Sequence, residues 1–293
     1  MPKVLIADEM SPKAEEIFKQ RGIDVDVITG LSHDELKNCI AKYDGLAVRS
    51  ATKPNAEILA NANNLRVIGR AGIGVDNVDI NAASERGIVV MNTPFGNSIT
   101  TAEHAIAMMF SLARDIPAAS ESTHAGRWEK SKFMGVELSS KTLGIIGCGN
   151  IGAIVADRAM GLRMKVISYD PYLSVEKALD LGIEKVELNE LYERSDFISL
   201  HTPMTDMTRG IINSEAFSKM KNNVRIINCA RGGLIVEQDL KIAIESGKVA
   251  GAAIDVYEKE PAKENVLFGM EKVIATPHLG ASTDEAQVNV AIQ

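Results

Sequence analysis

The sequence predicts an α/β protein of two doubly wound domains, each with a parallel sheet. Three observations carry that expectation. Short β-branched runs alternate with amphipathic helical stretches along the first 95 residues. The same rhythm restarts after about residue 140, and there a glycine-rich turn joins a strand pattern to a helix pattern. A chain of 293 residues is long enough for two domains.

Strands are expected at Val4–Ala7, Val25–Ile28, Leu46–Val48, Val67–Ile68 and Ile88–Met91. Helices are expected at Pro12–Gln20, Ser32–Lys42, Asn55–Asn61 and Val78–Arg86, with Ser32 and Glu35 spaced as a capping box. Thr93–Ser98 is the expected domain break, followed by one long apolar helix over Thr100–Ala119. In the second half, strands are expected at Leu143–Ile146, Val166–Tyr169, Phe197–Leu200, Val224–Asn228, Ala252–Ile254 and Val273–Ala275. Asp284–Gln293 reads as the start of a helix with no capping or stop signal.

Hydrophobic residues make up 45% and charged residues 24%, which excludes disorder as the main state. The net charge of −7 disfavours nonspecific nucleic-acid or anionic-membrane binding. No apolar run reaches the roughly 18 residues of a membrane helix. The apolar stretch near the N-terminus is too short for a signal peptide. The three cysteines (Cys39, Cys148, Cys229) lack metal-ligand spacing, so no metal is expected, and a reducing cytoplasm is the natural location.

Gly147-Cys148-Gly149-Asn150-Ile151-Gly152 is a GxGxxG sequence. Alone it is weak, but here a strand pattern runs into its first glycine and a helical pattern, Ile151–Leu162, leaves its last. Gly147 permits the turn, Gly149 lets backbone approach a pyrophosphate, and Gly152 allows close helix–strand packing, with free N–H groups at the helix start. This predicts a Rossmann-like dinucleotide site. Asp170 ends the next strand 18 residues beyond Gly152, placed to accept the ribose hydroxyls and repel a 2′-phosphate. Only Pro171-Tyr172-Leu173 follows, with no cation, which favours NAD over NADP.

Ligands in open α/β sheets bind beyond the carboxyl ends of the strands. Seven expected strands end in ligand-capable groups: Arg49-Ser50, Arg70-Ala71-Gly72, Asp170, His201-Thr202-Pro203, Cys229–Gly233, Asp255 and Pro277–Gly280. His278 suits acid–base chemistry near neutral pH, and Glu260 is a candidate partner whose carboxylate favours the imidazolium. Arg231, before two glycines, offers a fork for a carboxylate. Each has a plain structural alternative: a satisfied histidine, a loop-holding arginine, a solvated glutamate. Cys148 and Cys229 read as inert packing residues, and Met108-Met109 as core or interface filling. Trp128 is a candidate interface anchor. His33, His104, His124 and His201 read as structural.

Five segments together resemble the D-isomer-specific 2-hydroxy-acid dehydrogenases. They are Val48–Lys53, Gly69–Asp79, Asn92–Pro94, Asn228–Gly233 and Pro277–Thr283, in that order. The resemblance implies a split substrate-binding, flavodoxin-like domain (1–95 and 282–293) and an NAD-binding Rossmann domain (96–281). It implies a catalytic set of Arg231, Glu260 and His278. Nicotinamide-side contacts would fall on Cys229, Ala230, Arg231, Asp255, His278, Leu279, Gly280 and Ala281. Adenosine and pyrophosphate contacts would fall on Asn150, Ile151, Asp170, Pro171 and Thr202, with Ile73 reaching in from the substrate domain. Arg49, Ser50 and the Gly72-Ile73-Gly74 loop are expected to hold the substrate, with Lys130 or Lys132 as further phosphate contacts. Domain closure would complete the site.

Within the family, the resemblance implies NAD-dependent oxidation of D-3-phosphoglycerate to 3-phosphohydroxypyruvate, the first committed step of serine biosynthesis. It also implies a homodimer formed through the NAD-binding domain by way of the 100–140 region. Larger members carry C-terminal serine-binding regulatory domains, and these residues stop before any such domain. The alternatives are a glyoxylate or hydroxypyruvate reductase and, in a different class, an NAD-sensing corepressor-like binding protein. An S-adenosyl-methionine methyltransferase shares the glycine loop but offers no reason for His278.

Overall fold

A computed structural model describes residues 1–293, which form two compact units. The first comprises Met1–Ser98 and Ala281–Gln293, and the second Ile99–Gly280.

The first unit alternates strand and helix. It runs β1 (Lys3–Ile6), α1 (Lys13–Gln20), β2 (Asp24–Val27), α2 (His33–Cys39), β3 (Gly45–Val48), α3 (Ala56–Ala60), β4 (Val67–Arg70), α4 (Ile80–Glu85) and β5 (Val89–Asn92). The strands pair in parallel in the order β2-β1-β3-β4-β5. Leu5, Leu46 and Ile68 from neighbouring strands are buried with Leu36, Ile40, Ile58 and Leu59 from the connections. Parallel strands covered on both faces need such continuous apolar runs. The helices start on side-chain caps: Ser32 and Glu35 form the expected capping box, Asn55 caps α3 and Asp79 caps α4.

The second unit begins with α5 (Ser98–Arg114) and α6 (Ile116–His124). There follow β6 (Thr142–Ile146), α7 (Asn150–Gly161), β7 (Lys165–Tyr169), α8 (Val175–Asp180), β8 (Glu184–Lys185), α9 (Leu188–Arg194) and β9 (Phe197–Leu200). The unit ends with α10 (Ser214–Lys219), β10 (Val224–Asn228), α11 (Glu237–Glu245), β11 (Val249–Ile254) and β12 (Val273–Ala275). The seven parallel strands lie in the order β12-β11-β10-β9-β6-β7-β8. The order reverses between β6 and β9, the position at which doubly wound sheets open a crevice at their carboxyl edge. α12 (Asp284–Ile292) returns to the first unit and packs on α1, with Val290 against Gly96.

Two expectations are corrected. The stretch over Thr100–Ala119 is two helices, broken at Asp115, which takes a left-handed φ of 50°. Pro117 has no N–H for the Ala113 carbonyl, so continuing α5 would orphan that acceptor. The Val136 amide bonds it instead, at 2.9 Å. The last helix does carry a capping signal: the Thr283 hydroxyl accepts the Ala286 amide at 3.2 Å. One strand, the two-residue polar edge strand β8, was not anticipated.

No helix is long and apolar enough to cross a membrane.

Candidate active site

At the β6–α7 turn the glycines have distinct physical duties. Gly147 sits at φ 92°, and a Cβ there would press on the His201 carbonyl and the Thr202 amide nitrogen. A Cβ on Gly152 would run into the Gly147 carbonyl, so only glycine lets α7 leave the turn this tightly. Gly149 is the N-cap of α7, and a Cβ there would meet nothing within 4 Å. Backbone can therefore be approached closely at that side, beside the amides of Asn150 and Ile151 at the helix start. A helix N-terminus, with its positive dipole end, suits a pyrophosphate. Beyond β7, Asp170 Oδ2 accepts the Cys148 amide at 2.8 Å and Oδ1 accepts the Tyr172 amide at 2.8 Å. The carboxylate ties the glycine turn to its own loop, and about half of its lone-pair sites are left for an external donor. Pro171 is exposed beside it.

His201 follows β9. Its Nε2 lies 2.8 Å from the Ser199 hydroxyl, and its ring nitrogens are enclosed. Burial pushes its pKa down to about 4. Thr202 is half-buried next to it. After β10, buried Asn228 shapes the turn that carries Arg231. Its Nδ2 donates to the Arg231 carbonyl at 2.9 Å, and its Oδ1 accepts the Ala230 amide at 3.1 Å. Arg231 Nη1 donates to the Ala230 carbonyl at 2.7 Å. A Cβ on Gly232 would collide with the Tyr257 carbonyl, so the Arg231 turn and the loop leading to Glu260 lie backbone against backbone.

Asp255 ends β11 and is fully buried. Its Oδ1 accepts the Thr276 hydroxyl at 2.6 Å and the Leu279 amide at 2.7 Å, and its Oδ2 accepts the Gly280 amide at 2.9 Å. His104 Nε2 lies 3.3 Å from Oδ1, off hydrogen-bond alignment. Burial opposes ionisation of this carboxyl. The His104 ring, the Thr276 hydroxyl and the Leu279 amide outweigh it and hold the group below its usual range. One side chain thus fixes the loop after β12. His104, Cys229 and Asp255 offer ligand atoms within 4.8 Å of one another. The Asp255 oxygens are already occupied by three donors and burial pushes the Cys229 thiol up, a donor set that suits packing rather than a cation.

The same loop presents His278, whose backbone lies in the left-handed region at φ 56°. Its Nδ1 is 2.7 Å from Glu260 Oε2, and Glu260 Oε1 accepts the Tyr257 amide at 3.0 Å. Burial works against the Glu260 charge, but the bonds from His278 and Tyr257 prevail and hold its pKa below the ordinary carboxylate value. The Tyr257 hydroxyl donates towards the carbonyls of Ile254 at 3.2 Å and Thr276 at 3.1 Å, tying both loops to β11 and β12. The result is an imidazole with one nitrogen held by a buttressed carboxylate and the other available for proton transfer.

The predicted residues Arg49, Ser50, Gly72, Ile73 and Gly74 lie on the first unit's carboxyl edge. Arg49 donates Nη1 to the Glu9 carbonyl at 3.2 Å, and Ser50 is exposed beside it. Gly72 sits at φ 149° beneath the Arg70 guanidinium, and the Ile73 carbonyl accepts Asn92 Nδ2 at 2.7 Å. Gly74 follows in the same loop. Lys132 lies 3.7 Å from Glu271 in the second unit. Sequence reading missed Asp8, Asn77, Asn228 and Thr276. The bonds of Asp8, Asn77 and Thr276 reach loops on neighbouring strands, whereas Asn228, an Asn just before a turn, bonds within that turn and alone left a local signal.

Residues 106–280 match the family described as D-isomer specific 2-hydroxyacid dehydrogenase, NAD binding domain. The chain belongs to the D-isomer-specific 2-hydroxyacid dehydrogenases. It is 50% identical over 291 residues to a D-3-phosphoglycerate dehydrogenase of Archaeoglobus fulgidus, covering 99% of this chain and 55% of that one. The chain spans about half the length of the curated relatives it matches. Among solved structures, a glyoxylate reductase from Paecilomyes thermophila superposes with a TM-score of 0.91 at 30% identity, covering 99% of this chain and 92% of that one. D-lactate dehydrogenase from Aquifex aeolicus, complexed with NAD and lactic acid, gives 0.87 at 27% identity, again covering 99% and 92%.

Proposed function

We propose that these residues carry the dehydrogenase portion of an enzyme that oxidises D-3-phosphoglycerate to 3-phosphohydroxypyruvate with NAD. The observation that carries the reading is the Glu260–His278 pair, 2.7 Å apart, on the carboxyl edge that also holds Arg231 and the glycine turn. The phosphorylated substrate is supported by the 50% identity to the Archaeoglobus enzyme, against 30% to the glyoxylate reductase. In this reading the second unit binds the dinucleotide and the first binds the substrate.

The glycine cradle fits a dinucleotide: the volume a Cβ would take at Gly147 or Gly152 is closed, while the side at Gly149 is open. Gly147 to Gly152 and Thr202 would hold the pyrophosphate. Asp170 and Pro171 would hold the adenosine ribose, with the acid selecting NAD over NADP. Cys229, Ala230, Asp255 and Leu279 to Ala281 would line the nicotinamide end, with Ile73 contributing from the first unit. When bound, the nicotinamide supplies the hydride chemistry.

Arg231 grips the substrate carboxylate and the C2 oxygen. His278, held through Nδ1 by Glu260, takes the C2 hydroxyl proton at Nε2 during oxidation and returns it during reduction. Glu260 stabilises the resulting imidazolium and keeps the ring aimed. Arg49, Ser50, Gly72 and Gly74 position the remainder of the substrate. A homodimer through the second unit is supported by a groove of about 650 Å³ lined by Phe110, Arg114, Ile116 and His124, and by the exposure of Trp128 and Met134 in the same 100–140 region. The three unpaired cysteines support a reducing, cytoplasmic location.

The test is absorbance at 340 nm with 3-phosphoglycerate and NAD or NADP, alongside NADH oxidation with hydroxypyruvate and glyoxylate. Turnover of 3-phosphoglycerate with NAD is expected. His278→Ala and Arg231→Ala should each lower it by roughly 10²-fold or more with NAD binding retained. Activity confined to unphosphorylated oxo acids would move the chain to the reductases. NAD binding without turnover would make it a sensor.

A further inference from the structure

The Arg49–Thr52 loop is held by two side chains that no catalytic role uses. Asp8 follows β1 and is only 6% exposed, and a buried carboxylate must be repaid by donors. Its oxygens accept the Arg49 amide at 2.6 Å, the Thr52 amide at 3.1 Å and the Thr52 hydroxyl at 2.6 Å. From the other side, Asn77 Nδ2 donates to the Arg49 carbonyl at 2.7 Å and to the Thr52 carbonyl at 2.6 Å. The N–H and C=O of both end residues are therefore gripped, while Ser50 and Ala51 between them are exposed.

Sheet order explains why the grips converge. β3 lies between β1 and β4, so Asp8, the Arg49 loop and the chain leading to Asn77 all leave the same edge side by side. In the order β2-β1-β3-β4-β5 the connection reverses between β1 and β3, where such sheets bind ligands. A surface turn can leave its amides to water. This one is pinned from two neighbouring strand exits, and its arginine is docked on the Glu9 carbonyl.

We propose that Asp8 and Asn77 are positioning residues that fix Arg49 and Ser50 to receive the phosphate monoester at the far end of the substrate, and so set the preference for phosphorylated over unphosphorylated substrates. The proposal rests on the substrate reading given above for Arg49 and Ser50. Asp8 supplies acceptors at both ends of the loop and Asn77 supplies donors, so neither can be replaced by its amide or acid counterpart without placing like groups face to face.

The test compares 3-phosphohydroxypyruvate with hydroxypyruvate, which differ only in the phosphate, in NADH oxidation by the full chain. Asn77→Ala and Asp8→Asn should raise KM for the phosphorylated substrate about tenfold or more. KM for hydroxypyruvate and both kcat values should stay within about threefold. Thr52→Val, which removes one hydroxyl from the Asp8 grip, gives a milder version of the same split should Asp8→Asn fold poorly. Adding Asn77→Ala to Arg49→Ala should cost no further selectivity, because the clamp acts through the arginine. Selective loss in Arg49→Ala with an unchanged KM ratio in the Asn77 and Thr52 variants would overturn the clamp and leave the substrate reading intact. Equal effects of Arg49→Ala on both substrates would remove the substrate reading and the clamp with it.

Discussion

Asp255→Asn tests whether one buried carboxylate holds the loop that carries His278. Asparagine has the same shape but offers one acceptor oxygen and one NH2. With its oxygen towards the Thr276 hydroxyl and the Leu279 amide, its NH2 faces the Gly280 amide, donor against donor. Leaving that buried N–H unmet costs about 1–3 kcal/mol. The two surviving bonds lose their charge assistance, about 1 kcal/mol each. Removing the charge regains part of the cost of burying it, so the net loss is about 2–4 kcal/mol. For a unit spanning Ile99–Gly280, at about 2–4 °C per kcal/mol, the melting transition should fall by roughly 5–15 °C. Turnover should fall with it, since the Leu279 and Gly280 amides fix the backbone at His278. The difference from wild type should narrow in strong acid. The folded-state pKa of Asp255 is depressed, so its stabilisation is present above the unfolded value and is lost as pH falls through the folded one. Calorimetry at pH 7 and in acid, with turnover on the same samples, decides the matter. A transition within about 2 °C of wild type and undiminished turnover would refute the loop-holding role.

Gly152→Ala should weaken NAD binding and lower stability by about 1–3 kcal/mol, because its Cβ meets the Gly147 carbonyl. An NAD titration and a urea midpoint check both effects. Asp170→Ala should weaken NAD and shift the NAD/NADP preference towards NADP by about tenfold. An unmoved ratio of kcat/KM for the two cofactors would remove its ribose role. His201 makes the second unit acid-sensitive. Its folded pKa is about 4 against about 6.5 unfolded, so between those values the unfolded chain holds a proton the folded one refuses. Stability should fall by roughly 3 kcal/mol as pH drops across that interval, and His201→Gln should flatten the dependence of the urea midpoint on pH.

Much of the architecture was legible because a parallel sheet covered on both faces must be written in apolar runs. Phe197–Leu200, Val224–Asn228 and Val273–Ala275 were expected over the same residues at which β9, β10 and β12 occur. β8 escaped because Glu184-Lys185, at the sheet edge, buries no apolar face. The break at Asp115 had a local signal in Pro117, outweighed in reading by the apolar run through Ala113. Thr283 followed by Asp284 and Glu285 is likewise a cap pattern that was passed over. At the site, the strand-exit rule drew attention to Glu260 and His278, 18 residues apart in sequence, and the structure brings them together. Asp8 and Asn77 were illegible for a physical reason. Their partners are backbone groups 41 to 44 and 25 to 28 residues away, chosen by the register of adjacent strands rather than by any local pattern.

The docking of α12 on α1 has a consequence for how the chain is made. During synthesis the second unit is complete before α12 emerges, while β1 through β5 have been waiting since the start. Until then α1 presents a face to water that its eventual partner will cover, and Gly96 lacks the neighbour that Val290 provides. The first unit is thus completed after the second, although most of its residues precede the second unit in the chain. Closing it requires the two ends of a very long loop to meet, at an entropic cost that grows only slowly with loop length. If the intervening unit has already folded, the effective loop is far shorter than its residue count, and early folding of the second unit acts as a template for completing the first.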